Sequence, residues 1–337
     1  MTREAFDPDT TTMLEVAVVG AGLSGLLCAR TLADHGHRVE VFEKARGPGG
    51  RMSTRRSGER RFDHGAQYFT VRDRRFARWV ESLRQDGVVA KWAGKTAVLE
   101  GGAINIREDD TERFVGVPGM NALCRQLASD TDVSYQSRVT ALERINQRWR
   151  LAAEDGTDLG RFDAVVVSAP APQTATLFEQ AAPDLAALAA TVKMAPCWAV
   201  MAAFPQALEV GFDGAFVHGS PLSWVARNTS KPGRPVDETW VLHATPQWSQ
   251  QHLELDPEDV APRLLEAYAE ALGKVLPGPS HIAAHRWRFA LPVEPLAEPC
   301  LFDPELVLAA CGDWCGGPRV EGAFLSGNAA AGRILDL

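Results

Sequence analysis

Cysteine, tyrosine and surplus positive charge are all scarce in this chain of 337 residues. The six cysteines, at 28, 124, 197, 300, 311 and 315, form no Cys-x-x-Cys pair. That excludes the common zinc and disulfide scaffolds and predicts a reduced, intracellular chain. The net charge is −8, the opposite sign from that of a general nucleic-acid binder. No apolar run suits a membrane span, because the longest, residues 14–29, is interrupted by Gly20, Gly22 and Gly25. Residues 1–13 are acidic and polar, with no apolar core of a signal peptide. They read as a flexible leader, and the expected location is cytoplasmic. Repeats, low-complexity tracts and clustered metal ligands are also missing, so no metal site is expected. What is present is an ordinary globular balance, 45% hydrophobic and 23% charged, in a length that suits about two domains.

Residues 14–19 form a continuous apolar, β-branched run that reads as a buried strand. Gly20-Ala21-Gly22-Leu23-Ser24-Gly25 follows, a helix is predicted over 23–35, and a second strand over 38–43. In this β-α-β unit Gly20 permits the tight turn, Gly22 lets the backbone approach a pyrophosphate, and Gly25 lets helix and sheet pack closely. The helix N-terminus, with Leu23 and Ser24, then offers free N–H groups to the phosphates. Glu43, eighteen residues after Gly25, ends the second strand where a carboxylate can accept hydrogen bonds from a ribose. The alternative, a glycine-rich turn without a ligand, fits this context less well.

Further on, 44–61 reads as loop with one helical turn, 73–86 and 120–129 as helices, and 133–135, 139–145, 149–153 and 164–168 as strands. Ala-rich helical stretches (174–192, 259–275) then alternate with Trp-bearing strand candidates such as 239–244. The tail returns to the first style, with a strand at 306–310, a turn at 311–313 and a helix over 320–335. The likeness of head and tail predicts one discontinuous dinucleotide domain, 14–75, 113–172 and 300–337. A second domain is predicted from 76–112 and 173–299.

The segment Arg-Gly-Pro-Gly-Gly-Arg-Met-Ser-Thr at 46–54 resembles the second glycine motif of amine-oxidase-type flavoproteins. There Lys44, Gly50, Arg51 and Met52 would lie against the pyrophosphate of FAD. Cys311-Gly312-Asp313 resembles the Gly-Asp that holds the ribityl chain, and Val320-Glu321-Gly322-Ala323 opens a helix whose N-terminus would face the flavin. A positive helix end there would stabilise the anionic reduced ring. The resemblance narrows further to bacterial renalases. It is carried by Asp63-His64-Gly65-Ala66-Gln67-Tyr68-Phe69-Thr70-Val71-Arg72, Gly116-Val117-Pro118-Gly119-Met120, the segments 224–234 and 240–249, Ala284-His285-Arg286-Trp287, and the tail from 311 to 327.

The resemblance implies an α/β protein: a glutathione-reductase-like FAD-binding Rossmann domain with a discontinuous, mixed α+β substrate domain, in the monoamine-oxidase or p-hydroxybenzoate-hydroxylase manner. FAD would be noncovalent, with Ala66, Gln67 and Val139 among its contacts. The substrate would be a dinucleotide, a dihydropyridine isomer of NAD(P)H reduced at the 2 or 6 position. Its hydride would pass to the flavin and on to O2, giving NAD(P)+ and H2O2. Tyr68, Phe69, Arg72, Asn228, His243, Trp287 and Gly316 are the expected substrate-orienting residues.

The residues suit that chemistry on their own terms. Between 44 and 78 there are eleven Lys or Arg against three acids, which fits two anionic partners, although about half would serve as a solvated face. Trp287 is as readily a core residue as a wall of the site. No acid–base pair stands out, and a hydride transfer needs none. His35, His37, His252 and His281 are expected at the surface. Two alternatives stay open: a flavin amine oxidase acting on small amines or polyamines, and a non-catalytic FAD-binding protein.

Overall fold

Val16 to Val18 and Ala164 to Val167 are inaccessible to solvent, which explains why neither strand alternates apolar with polar. They lie at the centre of a six-stranded sheet. Its order is Leu301–Asp303, Leu308–Ala310, Ala164–Val167, Glu15–Val19, Arg38–Glu43, Asp132–Tyr135. All neighbours are parallel except the first pair. The computed structural model describes residues 13–108 and 110–337. All but the last residue of the expected leader lie outside the described residues.

The helices are α1 (Leu23–Asp34), α2 (Arg74–Gln85), α3 (Ala122–Ser129), α4 (Ala171–Phe178), α5 (Pro183–Thr191), α6 (Pro246–Gln251), α7 (Pro257–Leu272) and α8 (Val320–Leu335). Helices α1 and α8 cross backbone to backbone: a Cβ on Gly327 would lie 2.3 Å from the Ser24 carbonyl oxygen. A three-stranded meander, Val139–Ile145, Arg148–Ala153 and Asp158–Phe162, packs with α4 and α5 around Trp149 on the other side of the first sheet.

The second large sheet has seven strands. Its order is His281–Pro292, Met194–Phe204, Glu238–Ala244, Leu222–Arg227, Gly214–Val217, Thr96–Glu100, Ala103–Arg107. One face carries Trp198, Val200, Trp240 and Leu242, and α7 covers it with Val260, Leu264 and Tyr268. Side chains alternate along a strand, so the opposite face carries His285, Ala199, His243 and Trp224, which the register sets in one row across four strands. That row looks toward the first sheet.

Several expectations need correction. Residues 44–61 include an antiparallel hairpin, Thr54–Ser57 with Arg60–Asp63, beyond the short 3-10 turn Gly50–Met52. The single helical stretch at 174–192 is two helices, because Pro183 cannot continue the first and instead starts the second. The tail strand begins at Leu308, after Val307 takes a positive φ of 49°. Helix α2, expected with the substrate domain, sets Phe76 and Trp79 against Phe324 of α8 and so packs with the first layer. His37 is 7% exposed, since its Nδ1 accepts the Leu14 N–H. The cysteines are all free, five of them buried and Cys197 half-buried. Among the described residues no helix is long and apolar enough to cross a membrane, and no group of three or more His, Cys, Asp or Glu could hold a metal ion.

Candidate active site

The helix α1 starts at Gly22 with no side-chain cap, so its first N–H groups have no side-chain partner there. A Cβ on Gly22 would meet nothing within 4 Å, and one on Gly50 would meet only the Gly22 Cα, at 3.6 Å. The two glycine motifs therefore stand side by side over open space at a positive helix end, a cradle that fits a pyrophosphate. Glu43 closes its base: one carboxylate oxygen accepts the Ala21 N–H and the other the Ala45 N–H, both at 2.8 Å. Ser24 bonds Ser168 at 2.8 Å. Lys44 reaches toward Gln173 at 3.5 Å, and Met52 is buried. Val139 opens the first strand of the meander, just after Ser137 donates its N–H to the Glu43 carbonyl. Leu23 is buried at the helix start.

Arg51 does not stand free. Its guanidinium grips Asp313 through two bonds, of 2.9 and 2.7 Å, and the Ala290 carbonyl at 3.1 Å. This bidentate pair ties the second glycine motif to the tail motif. The Gly312 N–H donates to the Ser326 hydroxyl at 2.9 Å. Gly316 is exposed, with its N–H on the Leu296 carbonyl. At the start of α8, beside buried Val320 and Gly322 and half-buried Ala323, the Glu321 carboxylate accepts the N–H groups of Arg72 and Asp73 at 2.7 and 2.9 Å. One oxygen of its side chain thus anchors the chain leading into α2.

From Arg51 the chain passes to 64–67. The Ala66 N–H donates to the Arg51 carbonyl at 2.9 Å, and a Cβ on Gly65 would lie 2.0 Å from that same oxygen. His64 then meets the histidine row of the second sheet. Its carbonyl oxygen accepts from Trp287 Nε1 at 2.9 Å and bonds His243 Nε2 at 3.1 Å. Its ring stacks on Trp287 at 5.0 Å and meets His285 edge-on at 4.8 Å. Burial, before any neighbouring charge, lowers the His64 pKa to about 3 and those of His243 and His285 to about 4. The three imidazoles are uncharged at neutral pH.

Behind this segment lies a buried charge cluster. Asp63, fully inaccessible, pairs with Arg234 at 2.6 Å and Lys231 at 3.6 Å, and accepts from the Thr54 hydroxyl and the Met120 N–H. Burial pushes the Asp63 carboxyl up, but the two cations outweigh it and hold it below its ordinary value. Lys231 is lowered to about 8, by burial first and with Asp63 opposing. Lys231 also donates to Gln67 Oε1 at 3.1 Å and Asn228 Oδ1 at 3.2 Å. Gln67 in turn donates to the Gly65 carbonyl at 3.1 Å. Gln67 and Asn228, expected to touch ligands, are therefore buried members of the scaffold under 64–67. Phe69 is likewise turned into the core against Phe76 and Phe114, because its main chain bridges Phe114.

Tyr68 is half-buried between Trp224, at 5.4 Å, and Trp92, at 6.1 Å. Arg72 is exposed and has no side-chain partner among the described residues. The structure thus brings His243 and Trp287 together at His64, and gathers the glycine motifs with Glu43 at α1. His64, His285 and the Asp63–Lys231–Arg234 cluster went unassigned in the sequence. Their signal was a period of two from His281 to Trp287 and the charged residues inside the motif at 224–234.

Residues 18–83 match the NAD(P)-binding Rossmann-like domain family, and residues 96–335 match the flavin containing amine oxidoreductases. Over 76 residues the chain is 40% identical to a phytoene desaturase (neurosporene-forming) of Rhodobacter capsulatus, a match to 23% of this chain and 14% of that enzyme. A 60-residue stretch is 45% identical to a 4,4'-diapophytoene desaturase of Staphylococcus haemolyticus, covering 18% of this chain and 12% of that one. The chain thus spans a small part of the curated relatives it matches. Cyclohexylamine oxidase from Brevibacterium oxydans IH-35A has a similar structure, with a TM-score of 0.74 at 14% identity over 96% of this chain and 99% of that one. A candidate protoporphyrinogen oxidase from Exiguobacterium sp. 255-15 gives 0.77 at 12% identity, over 97% and 100%. Likeness at such identity is one of fold. The amine-oxidoreductase match covers well over half of the chain, and with the pyrophosphate cradle it makes this protein a member of the flavin containing amine oxidoreductases, with FAD as its cofactor.

Proposed function

We propose that this flavoprotein oxidises dihydropyridine isomers of NAD(P)H, reduced at the 2 or 6 position, to NAD(P)+, with O2 as final acceptor. When bound, FAD supplies the two-electron acceptor for the hydride and the route to O2. The observation that carries the reading is the make-up of the wall at His64. Its three imidazoles are held neutral, with values of about 3, 4 and 4, so they offer hydrogen bonds and flat surfaces but no general acid near pH 7. A hydride leaving a dihydropyridine is driven by aromatisation of the ring and asks only for placement. His243 and Trp287, both fixed on one carbonyl oxygen, would hold that ring, and Tyr68 would add a second aromatic surface.

Family membership favours one rival, oxidation of a small amine or polyamine. Against it stand the exposed arginines at 55, 56 and 72, which would repel a cation. Anaerobic mixing of the FAD-loaded protein with partially borohydride-reduced NAD+ and, separately, with a polyamine decides between them. Fast flavin bleaching by the isomers is expected. Faster bleaching by the amine would overturn the reading, and bleaching by neither would leave a non-catalytic FAD-binding protein.

A further inference from the structure

Arg55 stands opposite Phe62 in the hairpin Thr54–Ser57 with Arg60–Asp63, and paired residues in a ladder project to the same face. The Phe62 ring lies 5.6 Å from that of His281 and packs against Met201, Val241 and Ala283. The hairpin's Arg55 face is thus laid along His281, Ala283, His285 and Trp287, alternate residues of one strand. This file runs from a half-exposed rim at His281 to the His64–Trp287 stack. Arg55 is exposed, and no carboxylate pairs with it among the described residues, whereas Arg51, Arg60 and Arg75 of the same basic stretch are each paired with an acid. The guanidinium also contributes, after burial, to keeping His64, His281 and His285 uncharged. A further polar atom lies unpaired beside the stack: His64 Nδ1 is closed off from solvent and has no hydrogen-bond partner in the protein, a costly state that a ligand relieves once the ring turns to meet it.

We infer that the nucleotide part of the substrate runs out along the hairpin beside this file, not across the stretch at His281 and Ala283 that Phe62 already covers, with Arg55 taking the phosphate next to the nicotinamide ribose and His64 meeting the uncharged polar edge of the ring. This rests on the dihydropyridine reading of the same site. A phosphate needs a cation without an internal carboxylate partner, and a carboxamide needs a neutral donor or acceptor that is not already engaged. Arg55 and His64 each supply one of these, at the two ends of one strip.

Binding of oxidised ligands tests the site without any turnover. The FAD-loaded protein is titrated with nicotinamide mononucleotide and with nicotinamide riboside, which lacks the phosphate, and flavin absorbance is followed. In the wild type the mononucleotide should bind more tightly, with an affinity that falls as salt rises. Arg55→Gln should raise its Kd by about tenfold or more, remove the salt dependence and leave the riboside within about twofold. An unchanged preference for the mononucleotide in Arg55→Gln, or its loss in Arg72→Gln instead, would overturn the assignment, as would a wild type that binds both ligands equally. A wild type that shows the Arg55 effect but is not bleached by the dihydro isomers keeps the anion site and rejects the reaction.

Discussion

The main-chain oxygen of His64 serves two strands at once, through Trp287 and His243, while the imidazoles around it are held out of the titrating range. Two outcomes belong to these residues. With a dihydro isomer as reductant, the limiting rate of flavin bleaching is expected to stay flat from about pH 5.5 to 7.5, since histidines at about 3 and 4 change no charge there. Lys231, at about 8, can bend the profile only above that. His243→Ala should slow bleaching by no more than about 10²-fold, the cost of a slightly misplaced ring. A steep step below pH 7.5, measured by anaerobic stopped flow, would show that a base is needed after all. The same lowered values also govern acid stability. Each of these histidines takes up a proton near pH 6.5 once unfolded but refuses it when folded, so the unfolded state binds more protons between about pH 4 and 6.5. Stability should therefore fall as pH drops through that window, and a urea midpoint that stays constant from pH 6.5 to 4.5 would contradict it. Glu43→Ala should weaken FAD binding by roughly 1.5–3 kcal/mol if its carboxylate also holds the ribose, and more if loss of the Ala21 and Ala45 bonds loosens the cradle; FAD titration of the apoprotein measures it.

Among the elements, the β-α-β unit could be read directly because every part of it is local. A strand, a glycine turn, a helix and a second strand lie within residues 15–43, and helix α8 was placed to the residue because its apolar spacing is uninterrupted. The seven-stranded sheet was largely hidden. Its longest strands, Met194–Phe204 and His281–Pro292, pair across about eighty residues, and small alanines at their centre blur the alternation. The hairpin after the second glycine motif was missed for a different reason. Arginines fill both its strands, at 55, 56, 60 and 61, and such composition reads as loop although Gly58 supplies a positive φ of 60° at its turn. The glycines of the cradle were legible in the site, but its scaffold was not, since Asp63, Lys231 and Arg234 are residue types expected outside. That scaffold makes a prediction of its own. Asp63→Asn leaves two cations buried without their counter-charge and should cost about 3–5 kcal/mol of stability. A thermal unfolding midpoint within a degree or two of the wild type would remove Asp63 from that role.

At the scale of the whole molecule, a chain of net charge −8 keeps a basic stretch of eleven Lys and Arg at 44–78 beside its neutral aromatic wall. The surplus acid elsewhere keeps the molecule dispersed, while the local field favours an anionic substrate over a cationic one. The cysteines add a consequence of another kind. Burial raises the pKa of every one of them, with Cys124, Cys197 and Cys311 pushed up to about 12. The thiolate is the form that peroxide attacks. On the proposed chemistry each turnover releases a molecule of that oxidant within the protein itself, where the buried cysteines are held in the inert, protonated form. On that reading, the burial that packs these thiols for their size also slows their attack by the enzyme's own by-product.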